Sequence, residues 1–136
     1  MRFSTTGACQ LSDVLNTMTF IEISTDDPRR LEDFYSKIFG WEFTRLPGTS
    51  YGFIRVPGDE KPIGRMLDNK GGGPNWGIFG INVDDIEDVC RRVKAAGGEV
   101  VDTDQVCEDG TYVMRSARFL DPSGIRFAAG AIEQKA

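Results

Sequence analysis

Apolar and polar positions along the chain follow one pattern that occurs twice. Alternation runs through Phe20-Ile21-Glu22-Ile23-Ser24, with Ile21 and Ile23 on one side and Phe20, Glu22 and Ser24 on the other, which predicts a strand over 18–24. Asp27-Pro28 then reads as the N-cap and first position of a helix: the aspartate can accept from free N–H groups, and proline loses no hydrogen bond there. Leu31, Phe34, Tyr35 and Ile38 recur at helical spacing and form an apolar stripe, which Gly40 ends by accepting the left-handed conformation. Short strands near 41–46, 51–56 and 62–67 follow, separated by turns at Pro47-Gly48 and Pro57-Gly58.

The second copy opens with a strand over 76–83. Asp84-x-x-Glu87 reads as a capping box, Ile86, Val89, Val93 and Ala96 carry the helical stripe, and Gly97-Gly98 stops it. Strands near 99–103, 111–120 and 125–130 complete the unit, with Asp121-Pro122-Ser123-Gly124 as the turn between the last two. Asp26 and Asp84 lie 58 positions apart, and so do Gly40 and Gly98. Such duplication predicts an α+β fold of two βαβββ modules, about 18–67 and 76–130, forming a curved mixed sheet with the helices on its outer face.

Residues 68–75 read as the linker between the copies. Its run Gly71-Gly72-Gly73-Pro74 is followed by no Lys-Ser or Lys-Thr and opens no helix, so it is not a phosphate loop. Residues 1–17 are expected to form an N-terminal arm, with Leu11, Val14 and Leu15 in a short amphipathic turn, ahead of a single domain over 18–136.

Composition narrows the chemistry. The 136 residues are 40% hydrophobic and 27% charged, ordinary for one globular domain. A net charge of −5 disfavours nucleic acid, which wants a basic face. There is no histidine, the commonest general base near neutral pH and the commonest metal ligand. Cys9, Cys90 and Cys107 are odd in number and lack C-x-x-C spacing, so neither a disulfide framework nor a zinc site is expected. A reducing, cytoplasmic location is the default expectation. No apolar stretch approaches the roughly 18 residues of a membrane span, so no membrane partner is expected.

Glu32-Asp33-Phe34-Tyr35 followed by Phe39-Gly40-Trp41-Glu42-Phe43 resembles the first helix and second strand of the glyoxalase/bleomycin resistance/dioxygenase superfamily, also called vicinal oxygen chelate proteins. Val83-Asp84-Asp85, Ala96-Gly97-Gly98 and Phe119-x-Asp121-Pro122-x-Gly124 are similar to its second module. The resemblance spans about residues 18–130. It implies paired modules, usually in a homodimer, with a ligand cavity inside the curved sheet.

Metal-using members of that superfamily place ligands on the first and last strand of each module. Carried over through these motifs, the ligand positions fall on Phe20, Ile78 and Ala128, with Met66 as the repeat mate of Ala128. None offers a donor for a divalent cation, so no metal and no cofactor is expected. Alternation then sends Glu22 and Ser24 inward with Phe20, Trp76 and Asn82 inward with Ile78, and Arg126 inward with Ala128. The face that Tyr51, Phe53 and Arg55 share, and the face that Tyr112, Met114, Ser116 and Arg118 share, can each point either way.

The expected ligand site therefore comprises Phe20, Glu22, Met66, Trp76, Ile78, Asn82, Arg126 and Ala128. It is mostly apolar and suits a small apolar or aromatic molecule, held without metal as in antibiotic or metabolite sequestration. Two other readings stay open. One is an enzyme of the same fold, of lyase, isomerase or dioxygenase type, with Glu22 as acid or base and an arginine polarising the substrate. The other is a dimerisation or regulatory module. A carboxylate on a central strand requires water or a partner, and Arg126 is one candidate partner for Glu22.

Overall fold

The computed structural model describes residues 14–107 and 112–134. They form an α+β fold whose elements fall into two βαβββ sets. The first set is β1 (Met18–Thr25), α1 (Pro28–Phe39), β2 (Glu42–Arg45), β3 (Tyr51–Arg55) and β4 (Gly64–Asp68). The second is β5 (Trp76–Asn82), α2 (Ile86–Ala95), β6 (Glu99–Cys107), β7 (Tyr112–Leu120) and β8 (Arg126–Gln134).

In the first set the strands lie in the order β2-β3-β4-β1, with β1 and β4 parallel and the other neighbours antiparallel. Asp27 caps α1 by accepting from Arg30 N–H at 3.2 Å, proline stands in the first turn, and Gly40 closes the helix at φ 73°. The apolar stripe of α1 is less covered than its spacing predicts. Leu31 packs on Ile23, Ile54 and Met66, together with Trp41, Phe43 and Ile63. Phe34, Ile38 and Phe39, by contrast, are each more than half exposed.

In the second set the order is β5-β8-β7-β6, with β5 and β8 parallel. The N-cap of α2 is Asp85, whose side chain accepts from Asp88 N–H at 3.2 Å. The N-cap thus lies one residue beyond the expected Asp84. Ile86, Val89, Cys90 and Val93 pack on Ala117, Phe119, Ala129 and Ala131 from one face of these strands. A bulge separates Val100, opposite Phe119, from Asp102, opposite Arg118. Without it, plain alternation would put Val100 and Asp102 on one face. The extra residue sends Val100 toward α2 and Asp102 to the opposite face.

Candidate functional site

Residues paired across neighbouring strands share a face, so the register settles what lies opposite each helix. In the first set Glu22 pairs with Arg65, Arg65 with Phe53, and Leu67 with both Ser24 and Tyr51. Phe20, Glu22, Ser24, Tyr51, Phe53 and Arg65 are all buried. Arg65 donates from Nη2 to Glu22 Oε1 at 2.7 Å. Its guanidinium carbon also lies 5.3 Å from the centre of the Phe20 ring and 5.2 Å from that of Tyr51. A buried charge needs both an opposite charge and polarisable neighbours, and here one carboxylate and two aromatic faces supply them. Asn69 closes the far end by donating to Ser24 Oγ at 3.0 Å.

This arrangement bears directly on what Glu22 can do. Its Oε1 compensates a guanidinium that is itself only 2% exposed. Arg65, which alternation did not single out, is thus an ion-pair partner of Glu22.

In the second set Ala128 pairs with Gly80 and Arg118, and Gly130 pairs with Asn82 and Ser116. The rows continue to Asp102 and Asp104. Arg118 donates from Nε to Asp102 Oδ1 at 2.7 Å and from Nη2 to Asp104 Oδ2 at 2.9 Å, and reaches Ser116 Oγ at 3.2 Å. Ser116 in turn donates to Asp104. Asn82 is buried and engaged by the chain before β1: it donates to Val14 O at 2.7 Å and accepts from Thr17 Oγ1 at 3.2 Å. Ile78 and Trp76 are partly buried.

Sequence reasoning missed Arg65, Asp102 and Asp104. Met66 was placed at the last-strand position of the first module, but the register opposes it to Ile23 and packs it on the α1 side with Ile54. The residue one step earlier, Arg65, shares the row of Glu22 as Ala128 shares the row of Gly80. In the row of Glu22 the guanidinium of Arg65 therefore stands where Met66 was expected, and a cationic side chain offers no donor to a divalent cation. Among the described residues no group of three or more His, Cys, Asp or Glu side chains is placed to hold one. Burial pushes the Cys90 thiol up, against the opposing effect of Lys94 and Arg91, which disfavours its thiolate.

Among the described residues no helix is long and apolar enough to cross a membrane. Comparison with known proteins agrees with the fold. The chain is 29% identical over 127 residues to the anthracycline biosynthesis protein DnrV of Streptomyces peucetius, an alignment covering 80% of this chain and 44% of that protein. The chain thus spans less than half the length of this relative. Hypothetical protein BH1468 of Bacillus halodurans superposes with a TM-score of 0.56 at 15% identity, over 89% of this chain and 97% of that one. The Mn(II)-bound glyoxalase of Novosphingobium aromaticivorans superposes with a TM-score of 0.55 at 17% identity, over 90% of this chain and 41% of that one. The model of the Glyoxalase/Bleomycin resistance protein/Dioxygenase superfamily matches residues 17–129, and the chain belongs to that superfamily.

Proposed function

We propose that the protein binds a small planar aromatic molecule without a metal ion, and that it sequesters or carries this molecule rather than transforming it. The observation that carries this reading is the face built by Phe20, Tyr51 and Phe53 around the Glu22–Arg65 pair. Such a face combines ring surfaces for stacking with a neutralised polar centre for orientation, the usual make-up of an organic-ligand site. The likeness to an anthracycline biosynthesis protein supports a polycyclic aromatic ligand. Engagement of Glu22 by Arg65 favours binding over acid–base catalysis.

The ligand would lie against Phe20 and Tyr51, with Ser24 as a hydrogen-bonding group. Met66 belongs to the packing behind that surface. The protein would act as a homodimer, a reading supported by the large apolar side chains that α1 leaves exposed. Titration with an anthracycline, followed by the fluorescence of the ligand, tests the proposal. Saturable binding that Tyr51→Ala weakens about tenfold, the scale of one lost stacking contact, is the expected result. Absence of saturation, or turnover of the bound molecule, would overturn it.

A further inference from the structure

The two helices of the duplication cover unequal floors. Under α1, the row Ile23–Met66–Gly52 presents a long methionine side chain. The corresponding row under α2 is Ile81–Ala129–Ala117. Alanine at the methionine position, followed by Ala131 on the same strand face, removes side-chain volume where interiors are normally filled to crystal-like density. The consequence is an open groove of about 410 Å³ where α2 meets its strands. Ile81, Val83, Phe127 and Ala129 line it from the strand side and Val89, Val93 and exposed Ala96 from the helix side. This volume falls within the roughly 300–1,000 Å³ of small-molecule sites.

Two polar residues border this otherwise apolar space, Arg92 and Asn16. Arg92 is three-quarters exposed, and its contact with Asp88 is long, 3.6 Å, while Arg91 holds the same carboxylate at 3.0 Å. An exposed shared pair of this kind contributes little, so the Arg92 guanidinium can turn to another anion at small cost. Asn16 adds an amide at the same rim.

We propose that this pocket is a second ligand site, on the helix side of the strands and separate from the Phe20–Tyr51 face, and that it takes a small amphipathic carboxylate. The apolar tail lies along the groove that Ala129, Phe127, Val89 and Val93 line. The carboxylate meets Arg92 in a charge-assisted hydrogen bond, with Asn16 as a neutral donor beside it. This inference does not depend on the ligand assigned to the opposite face.

Decanoate is a suitable probe, titrated into protein carrying ¹³C-labelled alanine methyl groups, with decanol as the uncharged control. Saturable shifts at Ala96 and Ala129, with the amides of Phe20 and Ser24 unmoved, are expected. Decanol should bind about tenfold more weakly or worse, and Arg92→Glu should weaken decanoate by a similar factor, the loss of one charge-assisted contact. Ala129→Met, which restores the residue type found under α1, should abolish binding. Should that variant fail to fold, Ala96→Phe at the exposed lip blocks the same entrance without touching the core. Decanoate affinity unchanged in Ala96→Phe, shifts confined to other residues, or no saturation at millimolar probe would each overturn the proposal.

Discussion

Arg65 reaches across from β4 to Glu22 on β1 with a 2.7 Å contact between Nη2 and Oε1, and both side chains are removed from water. The pair is the charged centre of an aromatic face, and each member makes the burial of the other tolerable.

Breaking this pair from either side should destabilise the protein strongly. Glu22→Gln and Arg65→Met each remove one charge from a buried ion pair, a change that costs about 3–5 kcal/mol in such pairs. The double variant should lose much less than the sum of the two, a coupling that chemical denaturation in a double-mutant cycle reads directly. Additive losses below about 0.5 kcal/mol each would mean that the pair does not act as a buried ion pair.

Gly64 should tolerate no side chain. A Cβ at this position would lie 2.1 Å from Ile21 O, and a strand backbone held in its ladder cannot withdraw. Gly64→Ala should therefore destabilise by about 1–3 kcal/mol, the usual cost of overpacking, or more. Denaturant midpoints within error of the parent protein would contradict the close β1–β4 approach.

Acid should loosen the turn between β7 and β8. Asp121 accepts from Ile125 N–H at 3.0 Å, from Ser123 Oγ at 2.7 Å and from Ser123 N–H at 2.8 Å. The hydrogen bond from Ile125 is the first cause, and that from the Ser123 hydroxyl the second, of a carboxyl held below its ordinary value. A depressed carboxyl adds stability above its unfolded-state value, and that stability is lost as pH falls through the folded-state one. Proton-linked unfolding should thus be shallower in Asp121→Asn in the acid range, and carboxyl titration by NMR should place Asp121 below the ordinary aspartate value.

Sedimentation equilibrium should give twice the 15.1 kDa chain mass. Phe34, Ile38 and Phe39 lie exposed along α1, an uncommon surface for a protein that stays alone. A single-chain mass at micromolar concentration would remove the dimer from the account.

Periodicity carried most of the fold. Alternation and capping residues located β1, α1 and their repeats, because burying one face imposes a period on the sequence. Register was harder to see. The turn region between Arg55 and Gly64 gives no count of how β4 sits against β1, so Met66 stood where Arg65 belongs. Asp102 was hidden by the bulge after Val100, since one inserted residue reverses the faces that alternation assigns. Arg65 and Arg118 are both buried, which composition argues against until their carboxylate partners are known.

Calorimetric titration with an anthracycline, run before and after exhaustive treatment with a chelator and again after adding Mn(II), tests the account most directly. Equal affinity and stoichiometry in all three conditions is the predicted result, because Phe20, Arg65, Ile78 and Ala128 hold no metal donor. Binding that vanishes with the chelator and returns with the ion would contradict it.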